Sequence, residues 1–172
     1  MKFCWRITKY DPKYRCPSGA YLNDEWCIYG EIGKAFNNVR FDFKEYARIE
    51  KLYIDAIELF MECHNISLLQ IDTLEKNKKL KKDIHNIADM VELFHNIKDG
   101  DWIQQAHIQD LCKLILRDKL WCKLRYSRKM FVHFGWDFYM YIGSSLVCDE
   151  AILSIEKSGL FVEPFESPYQ KR

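Results

Sequence analysis

Hydrophobic and polar residues alternate near both ends of the chain, with the two-residue period of a half-buried strand. Residues 3–9 alternate Phe, Trp and Ile with other residues, which predicts a strand. In 130–142 every even position is apolar, so we expect one extended strand there. The stretch 120–126 alternates as well, and 127–129 joins the two runs at the length of a hairpin loop. The pattern therefore predicts a long antiparallel hairpin over about 119–142.

The middle of the chain instead repeats apolar residues every three or four positions, which indicates helices. The first predicted helix begins after Asp42, which forms a capping-box pattern with Glu45, and runs to about Cys63. We also expect helices at about 80–94, 108–115 and 148–155, and short strands at 66–71 and 160–163. This order of elements predicts an α+β fold, in which several helices cover an antiparallel or mixed sheet.

The composition agrees with a folded protein of one domain spanning 1–172. The 172 residues are 48% hydrophobic and carry a net charge of +1, which excludes a disordered chain and a strongly basic nucleic-acid binder. No composition shift marks a domain boundary, and the lysine-rich stretch 76–82 is the least unfavourable place for one. The longest apolar runs are shorter than the roughly 20 residues of a membrane span. We therefore expect no membrane association.

The cysteines and the N-terminus predict a cytoplasmic protein. Charges at Lys2 and Arg6 leave no apolar region typical of a signal peptide. The seven cysteines are scattered without a regular framework, in a chain long enough to be stabilised by its core. We expect them to be reduced thiols that fill apolar space.

No catalytic, cofactor-binding or metal-binding motif is present in the sequence. The Gly33-Lys34 pair lacks the upstream glycine and the following hydroxyl of a phosphate loop, and no Cys-x-x-Cys pair suits zinc. His133 and Asp137 would lie about 13 Å apart on an extended strand, too far to form a catalytic pair unless Gly135 introduces a bulge. We therefore predict no catalytic residue, no cofactor and no metal.

The odd positions of the predicted hairpin combine aromatic and charged side chains, which makes them the candidate partner-binding surface. A helix could cover most of this odd-numbered face, a protein partner could bind it, or nucleic acid could bind it. The candidate residues are Trp121, Lys123, Arg125, Phe131, His133, Asp137, Tyr139 and Tyr141.

Five short motifs carry a resemblance to a group of small uncharacterised cytosolic proteins of Bacillus-like bacteria. The resemblance covers most of the chain and implies no activity. Small bacterial proteins without an active-site motif are also similar in type to the immunity proteins that neutralise a toxin. The motifs are Trp5–Tyr10, Asp24–Trp26, Gly30–Gly33, Leu120–Leu124 and Gly135–Tyr141.

Our hypothesis from the sequence is a non-catalytic, cytosolic protein-binding factor, whose partner would be a protein such as a toxin domain. The alternative is an RNA-binding module that uses the hairpin residues 117–129. That stretch has six basic residues and one acidic residue, with Trp121 and Tyr126 available for base stacking. The sequence does not identify the partner.

Overall fold

A computed structural model of the protein describes residues 1–77, 80, 85 and 88–170. The helices are α1 (Phe43–Cys63), α2 (Ala88–Asn96), α3 (Gln105–Leu116) and α4 (Asp149–Ser158). The strands are β1 (Phe3–Thr8), β2 (Ala35–Phe36), β3 (Val39–Arg40), β4 (Leu68–Lys76), β5 (Trp102–Gln104), β6 (Leu120–Tyr126), β7 (Met130–Phe134), β8 (Tyr139–Ser144) and β9 (Phe161–Pro164). The predicted α+β fold is confirmed.

Seven of the strands form one antiparallel sheet in the order β5-β4-β6-β7-β8-β1-β9, and β2 and β3 form a separate small hairpin. The helices and the large sheet share one hydrophobic core. The N-terminal strand β1 lies between β8 and β9, so the two ends of the chain meet in the sheet.

Helix α1 follows the predicted pattern. The Asp42 carboxylate accepts a hydrogen bond from the backbone N–H of Glu45 at 2.9 Å, as expected of an N-cap. The apolar positions of the predicted face, including Tyr46, Tyr53 and Phe60, are fully buried. The helix thus begins and ends where the sequence predicted.

The stretch 130–142 contains two strands joined by a turn, so the prediction of a single extended strand is wrong. β7 runs antiparallel to β8, with Phe134 opposite Met140. Even positions pair with even positions across this turn, so their side chains stay on one face of the sheet. The alternation therefore continues through a reversal of the chain, and the period alone could not reveal the turn.

Other differences from the sequence prediction are smaller. β4 extends beyond the predicted 66–71, and the short β5 precedes α3. The predicted helix at 80–94 is confirmed only for its second half, as α2; most of its first half, like most of the proposed division at 76–82, lies outside the described residues. Within the described ranges, no helix is long and apolar enough to cross a membrane.

The cysteine prediction is wrong for two of the seven residues. Cys63, the last residue of α1, forms a disulfide with Cys148, which directly precedes α4. Cys112 and Cys122 are buried thiols, as predicted. The disulfide escaped the sequence analysis because its cysteines lie 85 positions apart and no spacing rule joins them.

Candidate functional site

Three residues of the odd-numbered face are buried, contrary to a surface open to a partner. Phe131, His133 and Tyr141 are only 8%, 7% and 7% exposed. His133 and Tyr141 are covered by a C-terminal segment of the chain itself, residues 165–170. Ser167 hydrogen bonds to His133 Nδ1 at 2.8 Å, and the Tyr169 ring lies 6.0 Å from the Tyr141 ring. The cover is thus neither a helix nor a partner, and a free face here is excluded.

Two more candidates also contact this C-terminal segment. Trp121 is half-buried, donates to the backbone oxygen of Phe134 at 2.9 Å and packs against Tyr169. The Lys123 ammonium donates to the backbone oxygen of Tyr169 at 2.9 Å. Both side chains therefore help to hold the C-terminal segment over the sheet.

The last three candidates lie at separate places. Tyr139 is half-buried beneath the guanidinium groups of Arg6 and Arg15, at 5.2 and 5.7 Å. Arg125 is exposed and lies 3.7 Å from Asp72. Asp137 is exposed on the β7–β8 turn. The structure therefore does not gather the eight candidates into one accessible surface.

Burial also determines the chemistry of His133. Desolvation, followed by the positive charge of Lys123, lowers the pKa of His133 to about 4. The imidazole is therefore neutral at physiological pH, and its Nδ1 already has a partner in Ser167. His133 is a buried structural residue.

The β7–β8 turn carries Trp136, which is 80% exposed. The sequence pattern placed this residue on the buried, even-numbered side, and that prediction is wrong. Asp137 and Phe138, the central residues of the turn, have φ values of 56° and 59°, and the Tyr139 N–H donates to the Trp136 oxygen at 3.1 Å. A bulky residue such as Phe is strained in this left-handed region.

Phe138 anchors the turn from below. Its side chain is 7% exposed and packs edge-on against Trp26 and Tyr53, with ring centroids 5.0 and 5.3 Å away. Its backbone oxygen accepts a hydrogen bond from the Tyr53 hydroxyl. These contacts hold the strained backbone in place and thereby keep Trp136 directed away from the core.

A cavity of about 1090 Å³ lies beside this turn. Its described walls come from the loop at 27–30, the connection between α3 and β6, the turn at 135–138, and the rings of Tyr53 and Tyr169. This volume is slightly above the usual range of about 300–1,000 Å³ for binding pockets. Trp136 belongs to the lining, so the exposed indole and the cavity form one continuous surface, which we call the turn site.

The Cys27 thiol at the turn site is not an activated nucleophile. Burial, followed by the carboxylates of Glu31 and Asp137, raises the pKa of the Cys27 thiol to about 11. Arg117 is buried and its guanidinium donates to both carboxylate oxygens of Glu50, at 2.7 and 2.8 Å. In the part of the chain that the structure describes, no cluster of His, Cys, Asp and Glu could hold a metal.

The basic run 117–129 is divided in the fold. Arg117 is committed to Glu50, and Lys123 donates to the C-terminal segment. Arg128 and Lys129 are exposed on the β6–β7 turn. RNA binding by this hairpin stays a prediction.

Sequence reasoning missed the turn site because its parts are far apart in the chain and its turn has the same alternation as a strand. Gly135 was the only local signal, since a glycine inside a strand pattern often marks an irregularity. A Cβ at Gly135 would lie 3.0 Å from the Tyr139 oxygen, so the close turn favours glycine.

No family model, no curated protein and no solved structure matches this chain.

Proposed function

We propose that this chain is a protein-binding factor that masks a partner protein through the turn site, in the way that an immunity protein masks a toxin domain. The observation that carries the proposal is Trp136, which is 80% exposed beside a large cavity. A Trp side chain offers a large contact area at low cost in conformational entropy. Trp is also among the residues that dominate the binding energy of protein interfaces.

The backbone of the turn supports the same proposal. Strained residues cluster at functional sites, where the surrounding structure holds them. Asp137 and Phe138 are such residues, and the buried Phe138 side chain fixes them. A partner would therefore meet Trp136 in a pre-ordered position, which reduces the entropy lost on binding.

The proposed surface revises the set of contact residues. Asp137 is retained from the earlier candidates because it is exposed next to Trp136. Phe131, His133 and Tyr141 are left out because they are buried, and the C-terminal segment covers the last two. The proposal of the bacterial cytoplasm as the compartment rests on the resemblance to small cytosolic proteins of Bacillus-like bacteria. The proposal of a toxin as the partner rests on the similarity in type to immunity proteins.

The test uses the tagged full chain, expressed in its native host, and two matched Trp variants. Trp136→Ala removes the indole at the turn site. Trp102→Ala removes another exposed indole, 50% exposed on the edge strand β5, and serves as the control. Proteins retained by the wild type are quantified by mass spectrometry, and the affinity of each enriched protein is then measured by calorimetry with the purified components.

We expect Trp136→Ala to weaken the affinity for the specific partner at least about tenfold, a typical loss at an interface hot spot, and Trp102→Ala to leave it unchanged. Equal affinity of wild type and Trp136→Ala for every enriched protein would contradict the proposal. The RNA alternative is tested with the same proteins on single-stranded RNA: retention that falls steeply with salt would favour it.

A further inference from the structure

The disulfide joins two helices that are distant in sequence at a partly accessible place. Cys63 ends α1 and is half-buried, whereas Cys148 precedes α4 and is 9% exposed. Cys63 is therefore the more exposed of the two bonded cysteines, and a small thiol would approach from its side. Cysteines in a reducing cytosol meet such thiols continuously.

Cys148 has a backbone conformation that its own side chain does not favour. Its φ and ψ are 59° and 48°, in the left-handed region, and it occupies the N-cap position of α4. An N-cap residue normally has an extended backbone and a side chain that bonds to the first turn, and Cys148 makes no such bond. The disulfide to Cys63 is the covalent contact that holds Cys148 at this position.

Residues 144–147 connect the disulfide-bonded Cys148 to the protein surface. The Ser144 hydroxyl contacts His64 Nε2 at 2.7 Å, and it both donates to the oxygen and accepts from the N–H of Leu146. Leu146 and Val147 are 48% and 39% exposed on the short connection to Cys148. The connection is therefore held at Ser144 on one side and by the disulfide on the other.

Val147 also forms part of a second cavity, of about 510 Å³, with Met1, Phe3 and Phe165. Val147 directly precedes Cys148 in the chain, so one wall of this cavity adjoins the disulfide.

We propose that Cys63 and Cys148 form a thiol–disulfide switch, which a dithiol reductant opens and which controls the conformation of residues 145–149. A thiolate of the reductant attacks the sulfur of Cys63, forms a mixed disulfide and releases Cys148 as a thiolate, which takes a proton from water. The second thiol of the reductant then forms the reductant's own disulfide and releases Cys63. The protein gains two electrons and two protons, and Cys148 is free to leave the left-handed region.

The experiment compares hydrogen exchange in the oxidised full chain, in the chain reduced with dithiothreitol without denaturant, and in two variants. Cys63→Ser lacks the bond but retains a side chain at position 148. Cys148→Gly also lacks the bond but tolerates the left-handed backbone. Thiol titration under native conditions confirms the redox state of each sample.

We expect reduction to accelerate exchange at the amides of 145–152 about tenfold or more, with the strands of the sheet unchanged. Cys63→Ser should behave like the reduced protein, Cys148→Gly should exchange more slowly than Cys63→Ser, and reoxidation of the wild type should restore protection. An increase spread over the whole chain, or no change at 145–152, would show a simple structural crosslink and overturn the proposal. Equal exchange in the two variants would overturn the role given to the Cys148 backbone.

Discussion

One alternating stretch of sequence forms two regions that differ in exposure. The first is the face of β7 and β8 beneath the C-terminal segment, and the second is the turn between these strands. The face carries His133 and Tyr141, aromatic and polar residues suited to an interface, and it is buried. The turn carries Trp136 from the apolar half of the pattern, and it is the more exposed region. Alternation assigns side chains to one face or the other, but it contains no information about what covers each face.

Of the two aromatic residues in the β7–β8 turn, Phe138 and Trp136, Phe138 is expected to have the larger effect on stability. Phe138→Ala should lower the free energy of unfolding by about 4 kcal/mol, because it removes a buried ring from a tight aromatic cluster. Chemical denaturation measures the loss. Phe138→Leu is the milder control and should lose clearly less; equal stability of Phe138→Ala and wild type would show that the turn is not anchored from below.

The pH dependence of stability tests the burial of the covered face. The pKa of His133 is about 4 in the folded protein against 6.5 for an ordinary histidine, so the unfolded chain takes up a proton first as the pH falls. Stability is retained above pH 6.5 and should decrease by up to about 3 kcal/mol between pH 6.5 and 4.

The difference between wild type and His133→Asn isolates this contribution, because the carboxyl groups titrate in both proteins. Urea denaturation at several pH values gives the two curves, and the variant should have the shallower slope. Parallel curves would mean that solvent reaches His133 in the folded state.

Close packing on the covered face gives a smaller effect. A Cβ at Gly143 would lie 2.0 Å from the Phe131 ring, so Gly143→Ala should cost about 2 kcal/mol through displacement of that ring. Phe131→Leu should relieve part of the clash in the double variant. Thermal unfolding of the two single variants and the double variant gives the coupling energy, and strictly additive losses would contradict the contact.

Trp136→Ala should have the smallest effect on stability, less than about 0.5 kcal/mol, because the side chain is already in solvent. The same substitution carries the largest expected effect on binding. Calorimetric unfolding measures the first quantity; a loss comparable to that of Phe138→Ala would show that the indole packs on the protein and is not available to a partner.

Local signals predicted much of the fold. The cap at Asp42 lies four residues before Tyr46, the first buried residue of α1. Both signals are local in the sequence, so they predict the start of this helix without any tertiary contact. β1 and β6 were predicted from their period for the same reason.

The candidate site was much less predictable, since it depends on contacts between remote segments. The turn site joins the loop at 27–30, the connection between α3 and β6, and the turn at 135–138, which lie far apart in the chain. Trp136 is exposed because the chain reverses at Gly135–Phe138, where pairing of even with even positions hides the reversal from any analysis of period. The site and the exposure of Trp136 therefore become visible only in the three-dimensional structure.

The position of β1 between β8 and β9 has a consequence for biosynthesis. β1 has no neighbour in the sheet until residues 139–144 have been made, and its second neighbour follows at 161–164. Domains with many such remote pairings fold slowly, and their strand edges stay open to other chains in the meantime. β1 therefore has no partner strand in the sheet while residues 9–138 are synthesised.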